Sequence, residues 1–267
     1  MRTTFVGGGV MAEAIFSRAL AAQVLDASDV CIAEPVAARR DYLASTYAVA
    51  VTDSNVEAIA DSGLIVLSVK PQHFAGVASG LKGKLTSGQT ALSIIAGLTV
   101  PSITGGLKHD SVIRVMPNTP AQVGQGMSVW MATDAVPEAT RIAAKELLGV
   151  LGLEWYVADE HYLDMATALS GSGPAYVFAF LESLIEAGVY MGMPRDMATT
   201  LAVQTVLGSA QLAKETGENP ALLRERVTSP GGTTAEALRE LESHGFRSTI
   251  LEAVAAAYRK ARELGGQ

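Results

Sequence analysis

The sequence predicts an α/β domain followed by an all-helical domain, on the basis of two observations. Short apolar runs rich in valine and isoleucine alternate with helical segments as far as about residue 158. After the segment EWYVADE, which ends at residue 160, the apolar segments have helical character and none is typical of a strand. The two domains are therefore predicted at residues 1–158 and 159–267.

The strands of the first domain are predicted at the apolar runs. TTFVG is the first strand and VMAEAIFSRALAAQ the first helix, and DVCIAE and VAARRDYLASTY follow as the second strand and helix. VAVT is a short strand, VEAIADS a helix and GLIVLSV a fully apolar strand, and QTALSII, VIRVMP and MSVWMA continue the pattern. Such alternation predicts a parallel sheet covered by helices on both faces.

The second domain is predicted to consist of helices alone. Their segments are DEHYLDMATAL, PAYVFAFLESLIEAGVYMG, RDMATTLAVQTVLGSAQLAKET, PALLRERV, TAEALRELES and FRSTILEAVAAAYRKAREL. The boundaries Ser-Gly-Ser-Gly-Pro, Met-Pro, Glu-Asn-Pro and Ser-Pro-Gly-Gly are typical start and stop signals of helices. A small bundle of apolar helices leaves much surface to cover, which favours dimerisation through this half.

Composition argues against several classes of function. The net charge of −7 disfavours a nucleic-acid surface, which needs a clustered basic face. The histidines are far apart, so no metal site is expected. The most apolar segment contains Glu182 and Glu186, and we expect a buried or subunit-facing helix there and no membrane span. The lone Cys31 and the absence of a secretory signal favour a reducing, cytoplasmic location.

A glycine triplet lies between the first strand and the first helix, in FVGGGVMAEAI, and matches the pattern G-x-G-x-x-A. Gly7 would form the tight turn, Gly9 would let the backbone approach a pyrophosphate, and Ala12 would let helix and strand pack closely. The N–H groups at the helix start would then face the phosphates. A flexible turn is the alternative for a bare triplet, but the position favours a Rossmann-type dinucleotide-binding domain.

Three residues near the second strand bear on the choice between NAD and NADP. Glu34, 25 residues after Gly9, could accept hydrogen bonds from the adenosine ribose and would repel the 2′-phosphate of NADP. Arg39 and Arg40 could bind that phosphate, or they could be solvated charges on the next helix. The sequence leaves the cofactor preference open.

Two further loops follow predicted strands, where ligands of open α/β sheets bind. One is Ser68-Val69-Lys70-Pro71 and the other is Met116-Pro117-Asn118-Thr119-Pro120. Judged alone, Lys70 is equally well explained as an exposed residue at a helix start, and Asn118 as a turn residue.

The helical half contains one more candidate loop, TSPGGTTAEAL. Thr233 lies three residues before Glu236 and ahead of an apolar-periodic run, which predicts a capping box with Thr233 as the cap. Gly231 and Gly232 would leave backbone N–H groups exposed beside a helix end, and such groups receive a small anion such as a carboxylate. An ordinary helix–helix turn is the alternative, but it needs fewer of these residues.

At this point the sequence resembles a known family. VTSPGGTTAEALRELE resembles the C-terminal signature of the Δ1-pyrroline-5-carboxylate reductases, and FVGGGVMA, SVKPQ and RVMPNTP resemble the family's successive cofactor loops. SGSGPAYVFAFLESLIEAG resembles the start of its long interface helix. The resemblance implies NAD(P)H-dependent reduction of a cyclic imine to L-proline. It also implies a Rossmann domain, a helical dimerisation domain, an active site shared between subunits, and dimers that often assemble further into decamers.

The resemblance also implies site residues. Glu160 matches an acidic residue near the substrate, and Gly232, Thr233 and Thr234 match the loop that holds the substrate carboxylate and ring nitrogen. Thr234 and Ser229 are the predicted catalytic residues, with the proton coming from solvent or from an already protonated imine. Members commonly have a small hydroxyl residue where this chain has Glu34, so NADP and NAD are both expected cofactors. The expected cofactor contacts are Val6, Gly7, Gly8, Gly9, Val10, Met11, Ala12, Glu34, Asn55, Ser68, Val69, Lys70, Pro71, Ile94, Ile95 and Ala96.

Two other functions are alternatives to this one. A dehydrogenase of hydroxy acids usually has a lysine on the helix that begins its second domain, and SGSGPAYVFAFLESLIEAG has none. A non-enzymatic NAD(P)-sensing protein would keep the glycine loop but would need no second anion-binding loop.

Overall fold

The computed structural model describes residues 1–266 and divides into two compact units. One comprises Met1–Ser172 with Ala257–Gln267, and the other comprises Gly173–Ala256. The predicted α/β fold with a following helical region is confirmed. The predicted boundary between the two functional domains, at residues 158/159, falls inside the first unit. It stays a prediction.

Within residues 1–266, eight strands form one sheet in the order β3-β2-β1-β4-β5-β6-β7-β8. β1 is central, and the chain moves outward through β2 and β3 before it returns to β4 on the other side of β1. The strands are β1 (Thr3–Val6), β2 (Val30–Ala33), β3 (Ala50–Thr52), β4 (Leu64–Leu67), β5 (Thr90–Ser93), β6 (Val112–Met116), β7 (Gly126–Ala132) and β8 (Gly152–Tyr156).

The prediction of a wholly parallel sheet was wrong at one strand pair, because β7 runs antiparallel to β6. β6 ends at Met116 and β7 begins at Gly126. That interval is shorter than the roughly twelve residues that a parallel crossover needs. Gly124, at a positive φ of 70°, helps to reverse the chain in this short connection. β8 is parallel to β7 and was not identified as a strand from the sequence.

Helices cover both faces of the sheet. Alternate residues of each strand point to the two faces. Phe5 and Val66 pack with residues of α1 (Val10–Ala21) and α6 (Glu138–Gly149), whereas Ile65 and Leu67 pack with residues of α4 (Phe74–Leu81) and α5 (Val100–Leu107). This period of two is what a doubly covered strand requires. The helices of this unit are α1 (Val10–Ala21), α2 (Ala37–Tyr47), α3 (Asn55–Ile59), α4 (Phe74–Leu81), α5 (Val100–Leu107), α6 (Glu138–Gly149) and α7 (His161–Ala166), and a π-helical turn (Thr167–Gly171) follows α7.

The second unit is built from α8 (Gly173–Tyr190), α9 (Arg195–Thr216), α10 (Pro220–Arg226), α11 (Thr233–Ser243) and α12 (Phe246–Leu264), whose residues from Ala257 onward belong to the first unit. Large apolar side chains are exposed on these helices, among them Phe178 at 60% and Leu251 at 70%. Such a surface is typical of a protein–protein interface. In the part of the chain that the structure describes, no helix combines the length and apolarity needed to cross a membrane.

The packing around Phe16 gives a test of the first unit's core. Phe16 is fully buried on α1, with its ring edge-on to Phe5 at 5.6 Å and to Tyr47 at 5.0 Å. Phe16→Ala should lower the free energy of unfolding by about 3–5 kcal/mol, because it leaves a cavity between α1 and the sheet. Ile142→Ala, at an exposed position on α6, should change it by about 0.5 kcal/mol or less. Chemical denaturation followed by circular dichroism measures both, and equal losses would contradict this packing.

Candidate active site

The predicted cofactor residues lie after the carboxyl ends of neighbouring parallel strands. Gly7 follows β1, Glu34 follows β2, Ser68 follows β4 and Ile94 follows β5. The order of the strands reverses between β1 and β4, so this edge contains the topological switch point of the sheet. Ligands of open α/β sheets bind in the crevice outside such a point. The structure thus brings the glycine loop together with the Ser68 and Ile94 loops at one edge.

The turn after β1 has no room for a side chain at Gly7. Its φ is +100°, and an added Cβ would lie 2.9 Å from the carbonyl oxygen of Ser68. The Gly7 amide donates to Ala33 O at 2.8 Å. The hydroxyl of Ser68 donates to Val6 O at 3.0 Å and to Gly7 O at 2.8 Å. Ser68 therefore joins the end of β4 to the glycine turn.

The next two glycines differ in their surroundings. An added Cβ at Gly8 would lie 2.8 Å from Leu43 Cδ1, so Gly8 is packed against α2. Gly9 precedes α1 with extended backbone (φ −70°, ψ 179°), and an added Cβ there would meet no atom within 4 Å among residues 1–266. Within residues 1–266, no side chain caps the start of α1. The first amides of the helix therefore face open space and can receive phosphate oxygens.

The carboxylate of Glu34 is held by the backbone around the glycine turn. It accepts hydrogen bonds from the amide of Gly8 at 2.9 Å and from the amide of Val36 at 3.0 Å. Its negative charge consequently lies beside the glycine loop at the end of β2. A charge at this position disfavours a 2′-phosphate on a bound adenosine ribose.

The two arginines that follow Glu34 are both engaged within the protein. Arg39 donates to Gly8 O at 2.7 Å and forms an ion pair with Glu13. Arg40 donates to the carbonyl oxygens of Glu34 and Pro35, at 2.7 and 2.9 Å. A 2′-phosphate would therefore have to share these guanidinium groups with their present partners.

Glu13 is a charged residue of this region that the sequence analysis did not single out. Its carboxylate accepts hydrogen bonds from Tyr47 at 2.7 Å, Tyr42 at 3.0 Å and Arg39 at 2.5 Å. Burial disfavours its charged form, but the hydrogen bonds outweigh burial and lower the pKa of the Glu13 carboxyl. The hydrogen bond to Glu13, followed by burial, raises the pKa of Tyr47. Glu13 is thus an ionised partner for Arg39 at neutral pH.

Glu160, the predicted substrate residue of the first unit, lies at the start of α7 and contacts two other elements. Its Oε1 accepts hydrogen bonds from Arg114 Nη1 and from the amide of Val100, both at 2.6 Å. Arg114 also donates to Asp164 at 3.0 Å. Neither Arg114 nor Asp164 was predicted as a site residue, although an arginine inside the apolar strand segment VIRVM indicates a charge that needs buried partners.

The candidate loop of the second unit forms a tight turn before α11. Gly231 has a φ of +68°, and the amide of Gly232 donates to Ser229 O at 3.0 Å. Thr233 and Thr234 are the first two residues of α11, the former exposed and the latter half-buried. The amides at this helix start have no intrahelical acceptor, which suits them to a small anion.

Two expectations about this loop were wrong. Thr233 does not cap α11: Gly232 occupies the cap position in extended conformation, and no side chain within residues 1–266 caps the helix. The reason is that Gly232 O already accepts the first helical bond, from Glu236 N at 3.3 Å, so Thr233 lies inside the helix. The amide of Gly232 is not free either, because Ser229 O accepts it.

Comparison with known proteins agrees with this architecture. A family model for pyrroline-5-carboxylate reductase dimerisation matches residues 160–264, and a model described as NADP oxidoreductase, coenzyme F420-dependent, matches residues 2–97. The chain is 45% identical over 260 residues to a pyrroline-5-carboxylate reductase of Synechocystis sp., with 97% of each chain covered.

Solved structures show the same likeness. A pyrroline-5-carboxylate reductase of Coxiella burnetii is 35% identical, with 98% of each chain covered and a TM-score of 0.90. A pyrroline carboxylate reductase of Plasmodium falciparum with NADP bound is 30% identical, covers 99% of this chain and 98% of its own, and also gives a TM-score of 0.90. Since near-complete coverage accompanies this identity, the chain belongs to the pyrroline-5-carboxylate reductase family of NAD(P)-dependent oxidoreductases that act on a cyclic imine.

Proposed function

We propose that this protein reduces 1-pyrroline-5-carboxylate to L-proline with NADPH or NADH, the last step of proline biosynthesis, using the residues assigned below. The observation that carries the proposal is the 45% identity to a family member across 97% of the chain. The open backbone at Gly9 and the uncapped start of α1 support it independently, since they fit a dinucleotide pyrophosphate.

The cofactor is proposed to lie along the carboxyl edge of β1, β2, β4 and β5. The first amides of α1, from Val10 to Ala12, would receive the pyrophosphate, and Glu34 would meet the adenosine ribose. The proposed remaining contacts are Asn55, the segment Ser68–Pro71 and the segment Ile94–Ala96. When bound, the nicotinamide supplies the hydride for the reaction.

The substrate is proposed to bind at the loop 229–234. The carboxylate would be received by amides at the start of α11, where the helix end adds partial positive charge. The hydroxyl of Thr234 would hydrogen-bond the ring nitrogen, with Ser229 beside it in the turn. Thr234 fits this role because it is a first-turn residue whose hydroxyl is not the helix cap.

The chain's part in the chemistry is mainly to bind and orient. Reduction adds a hydride to the imine carbon and turns the ring nitrogen into a more basic amine. A threonine hydroxyl is too weak an acid to supply the proton, so solvent or an already protonated imine does so. Most of the rate enhancement then comes from holding the reacting carbon in a productive orientation.

The assembly is proposed to be a homodimer that forms through the helical half. The apolar side chains exposed on α8, α9 and α12 support this, together with the dimerisation-domain match at residues 160–264. Further assembly of dimers into a decamer and a cytoplasmic location complete the proposal.

A direct assay separates this function from its rivals. The purified protein is mixed with 1-pyrroline-5-carboxylate and, in parallel, NADPH or NADH, and oxidation is followed by the nicotinamide absorbance. We expect imine-dependent oxidation and L-proline as the product. Flat traces with both cofactors, while the cofactor still binds, would favour an NAD(P)-sensing protein.

The Thr234 assignment predicts a defined kinetic defect. Thr234→Ala should lower kcat/KM for the imine by about one to three orders of magnitude, because the ring nitrogen loses its hydrogen-bond partner. Cofactor binding should persist. Thr228→Ala is the matched control, since that hydroxyl donates to Arg224 O at the end of α10, and it should keep near wild-type turnover. Wild-type turnover in Thr234→Ala would refute the assignment.

The position of Glu34 predicts a shift in cofactor preference. Glu34→Gln keeps an acceptor for the Gly8 amide but removes the negative charge that opposes a 2′-phosphate. The ratio of kcat/KM for NADPH to kcat/KM for NADH should rise about three- to tenfold. Asp29→Asn, before the opposite end of β2, should leave the ratio unchanged. An unchanged ratio in Glu34→Gln would show that the carboxylate does not face the ribose.

A further inference from the structure

Arg114 is the centre of a charged cluster inside the first unit. It lies in β6 with only 4% of its side chain exposed, and it contacts Glu160 at 2.6 Å and Asp164 at 3.0 Å. Asp164 is 2% exposed, whereas Glu160 is 22% exposed. One buried cation therefore has two carboxylate partners, more than neutralisation requires. Such a buried charge stays in place only when it is paired and hydrogen-bonded.

The carboxylates of Asp164 and Glu160 differ in their hydrogen-bond partners. Asp164 accepts a hydrogen bond from Arg114 through Oδ1, and its Oδ2 has no hydrogen-bond partner within residues 1–266. Glu160 contacts Arg114 and also accepts the amide of Val100 at 2.6 Å. Val100 is the first residue of α5. Glu160 therefore links the guanidinium group of Arg114, on β6, to the amide of Val100, where the loop after β5 ends.

That loop, residues 94–99, is held along its length. At its start, the amide of Ile94 donates to Leu67 O at 3.1 Å and the amide of Ile95 donates to Ser93 Oγ at 3.3 Å. In its middle, Gly97 has a φ of +76° and packs against Leu264 of the same unit. At its end, the bond from Val100 to Glu160 is a charge-assisted link from a side chain of another element. Such hydrogen bonds are roughly twice as strong as neutral ones.

We propose that Glu160, fixed by Arg114, is a positioning residue that holds the 94–99 loop in the conformation that binds the dinucleotide. Glu160 then acts on the cofactor through Val100, which differs from its expected role beside the substrate. The inference rests on the proposed assignment of Ile94–Ala96 to the cofactor. Asp164 keeps Arg114 paired when Glu160 is replaced, so the variants are expected to fold.

The test measures cofactor affinity in the absence of the imine. NADPH is titrated into the protein, and its dissociation constant is read from nicotinamide fluorescence. In Glu160→Ala the constant should rise about 5- to 20-fold, because the loop end loses a charge-assisted bond. Glu160→Gln keeps an acceptor for Val100 and should stay within about threefold of wild type. KM for the imine at saturating NADPH should change less than about twofold in both variants.

Two further variants separate positioning from general damage. Val100→Pro removes the amide donor at the first helical position, where proline is tolerated, and should weaken NADPH binding as much as Glu160→Ala. Glu154→Gln is the matched control, since Glu154 is 18% exposed and accepts a hydrogen bond from Trp130 at 2.6 Å in the same unit. It should leave NADPH affinity unchanged.

Three outcomes would overturn the inference. An unchanged NADPH dissociation constant in Glu160→Ala, with a raised KM for the imine, would make Glu160 a substrate ligand. Equal losses of NADPH affinity in Glu160→Gln and Glu160→Ala would show that the bond to Val100 is not what maintains that affinity. Unchanged NADPH affinity in Val100→Pro would show the same. Because the NADPH titrations contain no imine, the outcomes read from the NADPH dissociation constants are independent of whether the proposed reaction occurs.

Discussion

The contact between Gly7 and the end of β4 is the constraint on which the first unit's binding edge depends. Only a residue without a side chain fits there, because the Ser68 carbonyl would lie 2.9 Å from an added Cβ and φ is +100°. The sharp turn directs α1 back across the sheet, and the buried Ala12 and Phe16 then pack against it. The uncapped start of α1 thereby comes to lie at the switch point between β1 and β4.

Side chains from three neighbouring elements hold that turn in place. Ser68, after β4, donates to Gly7 O; Glu34, after β2, accepts from the amide of Gly8; and Arg39, on α2, donates to Gly8 O. Glu13 forms an ion pair with Arg39, and its hydrogen bonds outweigh burial and lower the pKa of its carboxyl. The turn is therefore ordered before any ligand arrives, which reduces the entropic cost of binding. The same bonds hold the negative charge of Glu34 beside the glycine turn.

Much of this fold follows from local sequence signals. The valine- and isoleucine-rich runs predicted seven of the strands, and the glycine triplet predicted the turn at the central one, because both depend on residues close together in the chain. The antiparallel direction of β7 was missed because strand direction depends on the length of the connection 117–125, which apolar patterning does not report. Thr233 was wrongly predicted as a cap because the motif does not show that Gly232 already provides the first acceptor.

The site was predictable to the extent that backbone motifs define it. The glycine loop and the TSPGGTT turn have short-range signatures, and the structure shows both at helix starts that no side chain caps within residues 1–266. The Arg114 cluster has no such signature, since Glu160 lies 46 residues and Asp164 50 residues away in the chain. Only the sheet order and the placement of α7 bring these charges together.

Gly9→Ala tests most directly whether this edge binds a dinucleotide. The backbone at Gly9 suits any residue, and an added methyl group meets no atom within 4 Å in the described chain, so the thermal midpoint should not change. The methyl group would occupy the space in front of α1 that a pyrophosphate needs. The account predicts that the NADPH dissociation constant rises at least about tenfold, whereas Gly76→Ala, at an open position on α4, leaves it unchanged. Wild-type NADPH affinity in a folded Gly9→Ala protein would contradict the account.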